Sequence, residues 1–183
     1  MAERVASHWR RRLASLALLA ILLAVQPAHA APARATSDDD LAPVDIVLRL
    51  GERRLYVVPA EHDGDTRRAV ASFRVAIGRD GYETPTGRFK VKEKIVDPPF
   101  QVFDWSDPST VVKTVAPGPT NPLGERWIGF ATSEYGWQIG FHGTPNPELL
   151  GRAVSHGCVR MRNRDVVDLY RRIEVGTPVI VEP

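Results

Sequence analysis

The sequence predicts a mainly β single domain with short helices. Three observations point there: a series of short apolar strands bounded by Gly, Pro, Asp or Asn, only two segments that suit helix, and a length that suits one core once the leader is set aside. The leader comes first. Arg4, Arg10, Arg11 and Arg12 precede an apolar run from Leu13 to Val25 and the small-residue pattern Ala28-His29-Ala30, which reads as a secretory signal over 1–30. The run is shorter than the roughly 20 apolar residues that a spanning helix needs, so no membrane span is expected after processing. Residues 31–43, with Asp38-Asp39-Asp40 and no apolar periodicity, read as a flexible tether, and the domain is placed at 44–183.

Asp45 to Leu50 and Arg54 to Val58 flank Gly51-Glu52-Arg53, a hairpin with a short Gly-containing loop. Ala69 to Ile77, Gly87 to Ile95, Arg126 to Phe130 and Gly136 to Phe141 have the same strand character. Between them, Asp97 to Pro122 carries Pro98, Pro99, Pro108, Pro117, Pro119 and Pro122, and is expected to be a long irregular loop that covers a site. A short helix is expected from Asn146 and Pro147 to Gly151. A second opens at Asn163 as cap, places Val166, Leu169, Tyr170 and Ile173 at helical spacing, and ends at Gly176. Thr177 to Val181 reads as a last strand.

Charge narrows the function. The leader holds four of the 24 basic and one of the 22 acidic residues, so the remainder is one charge negative. Such a chain has no field to gather nucleic acid or an anionic membrane, and neither is an expected partner. The chain has one cysteine, Cys158, so no internal disulfide forms, and a lone thiol in an oxidising compartment calls for an explanation.

The explanation lies in its neighbours. Of the histidines outside the leader, His142 and His156 lie within sixteen residues of Cys158, and His62 sits in a polar surface turn. A lone cysteine is most often a small buried hydrophobe, but Ser155-His156-Gly157-Cys158-Val159-Arg160 is polar and turn-forming. Arg160 and a histidine both favour the thiolate, the nucleophilic form. Acyl transfer needs a base, an orienting group and donors for the oxyanion. His142 fits the base, and the carbonyl of Gly143 could hold its second ring nitrogen. The N–H groups of Gly157 and Cys158 could form the oxyanion hole. Ser155, His156 and Arg160 are candidates for contacting substrate, and His156 could instead act as a second base or shape the nucleophile turn. His142, His156 and Cys158 are also residues of zinc-ligand type, but the short His156–Cys158 spacing and the lack of an accompanying carboxylate favour the thiol, and no metal or cofactor is expected. Trp127 and Trp137 fall in predicted strands, where core packing is the default, and Trp105 falls in the irregular loop.

His142-Gly143-Thr144 with Ser155 to Arg160 resembles the signature of the L,D-transpeptidase catalytic-domain family. Thr84-Pro85-Thr86-Gly87-Arg88-Phe89, Pro117-Gly118-Pro119 and Asn121-Pro122-Leu123-Gly124 resemble further segments of it, so the likeness covers about residues 44 to 182. Gly140-Phe141 departs from the Ile that many members carry before the histidine. The resemblance implies a β-sandwich-like catalytic domain in the periplasm or cell wall. It implies that Cys158 forms a thioester with a peptidoglycan stem, which an amine from a second stem or an outer-membrane lipoprotein then resolves. Water in that role would make the enzyme an L,D-carboxypeptidase, and a wall-binding module without turnover is the remaining alternative.

Overall fold

The structure, a computed structural model, describes residues 43–60, 65–104, 107 and 110–183. The expected signal and tether, His62 and Trp105 lie outside the described residues. Thirteen short strands and one α-helix make up the rest. β1 (Val44–Arg49) and β2 (Arg54–Pro59) form the expected hairpin. Its turn places Arg53 at φ 50 and is closed by Arg53 N–H donating to the Leu50 carbonyl at 3.1 Å. β3 (Ala71–Arg74), β13 (Pro178–Glu182) and β5 (Gly87–Lys90) complete a five-stranded sheet in the order β3-β2-β1-β13-β5, with β13 parallel to β1.

The second sheet carries the site. It runs β12-β10-β9-β6, from Val159–Arg160, Gln138–His142, Arg126–Thr132 and Glu93–Val96. Two stretches expected as single strands are each divided. Ala69 to Ile77 splits into β3 and β4 (Ile77–Gly78), and β4 pairs with β11 (Ala153–Ser155). Gly87 to Ile95 breaks at Val91, so that β5 joins the first sheet and β6 the second. One continuous strand could not serve both sheets. Their inner faces meet in one core that includes Ile46, Leu48, Phe73, Phe130, Phe141 and Met161. Phe130 bridges the layers, with ring centroids 5.6 Å from Phe89 and 4.6 Å from Phe141.

The expected irregular loop from Asp97 to Pro122 is corrected. It contains a hairpin, β7 (Phe100–Phe103) paired with β8 (Val111–Val115). Neither strand contains a proline, and most strand residues are aromatic or β-branched, so nothing blocks the ladder. The helix at Pro147 is one 3₁₀ turn, Pro147–Leu149, and the Asn146 side chain does not cap it. Nor is Asn163 a cap. It is the first residue of α1 (Asn163–Arg172), Arg162 holds the cap position, and Asn163 Oδ1 accepts from Glu125 N–H at 3.4 Å. α1 buries Val166 and Leu169 and ends before Gly176, because Ile173 turns extended and is itself buried. Gly176, at φ 97, instead donates to Val91 O in the turn that leads to β13.

Candidate active site

His142 ends β10, and β12 runs parallel beside it, with Phe141 opposite Val159 and His142 opposite Arg160. This pairing brings the turn between β11 and β12, which carries Cys158, alongside the strand that carries the histidine. His142 is buried, 4% exposed, beneath the Trp127 ring at 6.0 Å between centroids. Gly140 makes that packing possible. A Cβ there would lie 2.6 Å from Ile128 O and 2.8 Å from the Trp127 ring, so a larger residue would not fit this arrangement. Trp127 is held in place by donating to Glu93 at 2.8 Å.

His142 Nδ1 lies 2.6 Å from the carbonyl of Gly143, the group singled out in the sequence. Gly143 has no room for a side chain, since a Cβ would lie 1.9 Å from Asn163 Oδ1. The Pro122 carbonyl also acts on the imidazole, favouring its protonated form. Burial dominates all the same. It lowers the histidine from 6.5 to about 4; the Gly143 carbonyl opposes this, the Arg160 cation adds to it, and the Pro122 carbonyl opposes it. At neutral pH the imidazole is uncharged and can accept a proton.

The nucleophile turn is fastened at every polar atom of Gly157. Its N–H donates to Ser155 Oγ at 3.2 Å, and its carbonyl accepts from Thr84 Oγ1 at 2.8 Å. Ser155 Oγ donates onward to Cys158 O at 2.5 Å, and Thr84 Oγ1 accepts from Gly78 N–H at 3.0 Å. Gly157 is at φ 104, a conformation that calls for glycine, and a Cβ there would press on Ile139 Cδ1 at 2.7 Å. Two of the expected site groups are engaged within the turn itself: Ser155, 2% exposed, through its hydroxyl, and Gly157 through its N–H.

Cys158 is partly buried, and its thiol contacts the Gln138 carbonyl at 3.6 Å. Among the described residues no hydrogen bond joins it to His142. Burial raises the thiol above its ordinary range, while a backbone contact at Gly140 and the Arg160 cation pull it down. From the sequence, Arg160 and a histidine were expected to favour the thiolate. Arg160 acts in that direction, but burial outweighs it. Arg160 is half-buried, and its backbone is tied to Ala76 by hydrogen bonds of 3.0 and 2.8 Å.

His156 is exposed and turns to the loop over 79–82. Its Nε2 lies 2.8 Å from the Arg79 guanidinium, which can only donate, so the ring proton belongs on Nδ1. Its ring meets Tyr82 edge-on at 4.8 Å, and Arg79 lies over the same Tyr82 at 4.6 Å. Burial, then Arg79 and Arg160, keep His156 below its ordinary value. Trp137 does not lie in a strand. It precedes β10, is partly exposed and stacks on Tyr82 at 6.5 Å. Sequence reasoning missed Arg79 and Tyr82 as neighbours of the turn. Thr84 stood in a quoted segment with no role, because nothing local shows a hydroxyl reaching Gly157, seventy-three residues away. On the other side of His142 a groove of about 890 Å³ is lined by Asp97, Gly118, Pro119, Thr144, Arg162 and Arg164, among others.

Residues 43–181 match the family model YkuD, the L,D-transpeptidase catalytic domain. A Bacillus subtilis protein named as the L,D-transpeptidase YqjB is 40% identical over 110 residues, which cover 60% of this chain and 57% of that protein. A Bacillus licheniformis protein named as the L,D-transpeptidase YkuD is 32% identical over 144 residues, covering 79% of this chain and 68% of that protein. Among solved structures, L,D-transpeptidase 3 from Mycobacterium tuberculosis in complex with a faropenem-derived adduct is similar in fold, with a TM-score of 0.54 and 21% identity over 76% of this chain and 60% of that one.

Proposed function

The chain belongs to the L,D-transpeptidase catalytic-domain family, and from that premise we propose that it is an exported cysteine acyltransferase acting on peptidoglycan stem peptides. The observation that carries this reading is the buried His142, held by the Gly143 carbonyl at 2.6 Å beside the turn of the chain's one cysteine. A neutral imidazole with one nitrogen so fixed has the form of a general base. Residues 1–30 supply the export signal and place the enzyme in the periplasm or cell wall. No helix among the described residues is long and apolar enough to cross a membrane.

In the proposed reaction the Cys158 thiol gives its proton to His142 as sulfur attacks the carbonyl of the third stem residue, a diamino acid. The Cys158 N–H stabilises the oxyanion. Collapse breaks the amide bond, and the terminal D-amino acid leaves with the proton from the imidazolium. An acceptor amine then attacks the thioester, gives up its proton through His142, and releases the thiol. An amine from a second stem makes a 3→3 crosslink, and an amine from an outer-membrane lipoprotein tethers the wall. In this reading Arg160 draws a stem carboxylate toward the site.

The test is incubation of the purified protein with disaccharide-tetrapeptide, followed by mass spectrometry. A crosslinked dimer with release of the terminal D-amino acid is expected. Tripeptide alone identifies a hydrolase. Unchanged substrate with a folded protein, together with no adduct on Cys158 after carbapenem treatment, overturns the proposal. Faropenem, the β-lactam whose adduct the mycobacterial structure carries, serves as a second probe of the same thiol.

A further inference from the structure

Asn121 is 1% exposed and has no place in the chemistry described above. The two N–H of its Nδ2 are shared among three main-chain carbonyls, Pro98 at 3.0 Å, Val115 at 3.2 Å and Ala116 at 3.1 Å. Pro98 precedes β7, Val115 ends β8, and Ala116 follows it, so one amide group fastens both legs of the hairpin. Its Oδ1 accepts from Leu123 N–H at 2.8 Å, and its main chain closes the same turn, with Asn121 N–H to Gly118 O and Gly124 N–H to Asn121 O, each at 3.0 Å.

That turn is the back wall of the base. Pro122, the next residue, presents its carbonyl to the His142 imidazole. Gly124, at φ 63, lies so close to Gly143 that a Cβ on it would come within 2.7 Å of Gly143 Cα. Gly143 supplies the other carbonyl on the ring. One carbonyl beside the ring thus comes from the turn that Asn121 closes, and the other from Gly143, which packs against that turn. Gly118 and Pro119, at the foot of the hairpin, line the groove of about 890 Å³. The clamp thus joins the wall of the groove to the seat of the base.

We infer that Asn121 is a positioning residue for the reaction, clamping the β7–β8 hairpin to the turn that sets the orientation of His142. The role rests on the proposed function, because it needs His142 to be the base. It follows from polar geometry: a buried amide that satisfies four main-chain groups is costly to replace, and every replacement frees the same turn.

Asn121→Asp tests it, since Asp keeps an acceptor for Leu123 N–H but cannot make the three donations when ionised. Asn121→Ser, too short to span the same carbonyls, serves if the aspartate variant does not fold. Acylation of Cys158 by a carbapenem is followed by intact mass across probe concentration, and His142 is titrated by NMR in the unreacted protein. The folded variant is expected to lose roughly 10- to 100-fold in the limiting acylation rate, with its probe affinity within about threefold of wild type. In Asn121→Ser, which adds no charge beside the ring, the His142 titration should move to lower pH as the Pro122 carbonyl drifts away. An unchanged limiting rate and titration in a folded variant overturn the inference. So does a loss confined to probe affinity, or a fall in melting temperature with normal acylation. Failure of the wild type to acylate would instead count against the proposed function, and the His142 titration would still decide whether Asn121 orients the ring.

Discussion

Replacing Thr84 by valine should loosen the nucleophile turn without opening a cavity. Valine has nearly the shape of threonine, so the change removes the hydroxyl alone. That hydroxyl donates to Gly157 O at 2.8 Å and accepts from Gly78 N–H at 3.0 Å, and Thr84 is 3% exposed. Gly78 has no slack to reach another partner, because a Cβ on it would come within 2.1 Å of Tyr82 O. Each buried group left without a partner costs about 1–3 kcal/mol, so the variant should lose roughly 2–4 kcal/mol of stability. A domain with about 5–15 kcal/mol in hand stays folded. Acylation should fall about tenfold or more, because Gly157 at φ 104 is no longer pinned and the Cys158 N–H drifts from the oxyanion position. Thr84→Ser keeps the hydroxyl and should retain most of both properties. Urea unfolding and carbapenem acylation of the three proteins measure the effect. A valine variant within about 0.5 kcal/mol of wild type that also acylates at the wild-type rate would refute the reasoning.

Ser155→Ala removes the other brace, since its hydroxyl serves Gly157 N–H and Cys158 O; a stability loss of about 2–4 kcal/mol with slowed acylation is expected, and unaltered unfolding would contradict it. His142 is held neutral by burial, its folded value of about 4 lying below the ordinary 6.5. Its contribution to stability is therefore complete above pH 6.5 and drains away as pH falls to about 4, by roughly 1.4 kcal/mol per pH unit and about 3 kcal/mol in all. The wild type should lose that much more than His142→Gln over this window in urea titrations, and parallel curves would rule it out. Arg160→Ala should raise the pH at which iodoacetamide alkylates Cys158, because the cation favours the thiolate, whereas Arg160→Lys should keep most of the effect; identical alkylation profiles in all three proteins would remove Arg160 from the electrostatics of the site.

The sequence made legible what local chemistry dictates. Alternating apolar residues marked β1, β2 and β9, and the polar turn around Cys158 marked the nucleophile. The β7–β8 hairpin was hidden because prolines crowd its flanks while its strands are only four and five residues long. The helix cap was misplaced because Asn163 looked outward to Glu125 rather than along its own helix. Thr84, Asn121 and Arg79 act across tens of residues, on Gly157, Pro98 and His156, and no spacing rule announces such contacts. Burial was the other hidden variable. The residue types near Cys158 favour a thiolate, and only the folded chain shows how little water reaches the pair.

That balance bears on how the proposed reaction begins. Burial pushes the thiol up and the imidazole down, so both shifts favour the neutral pair over thiolate and imidazolium. The groups that would favour the charged pair are nevertheless in place: Arg160 beside the thiol, and the Gly143 and Pro122 carbonyls on the ring. At rest the thiol turns to Gln138 O, away from the base. Substrate must therefore do two things, free the thiol from that carbonyl and offer it an electrophile while His142 accepts the proton. Proton transfer coupled to attack meets both demands without holding a bare thiolate open to oxidation. The wild-type arm of the alkylation titration reads this directly. An inflection above the ordinary cysteine range accords with a resting thiol, and one near neutrality would mean that the charged pair exists before substrate arrives.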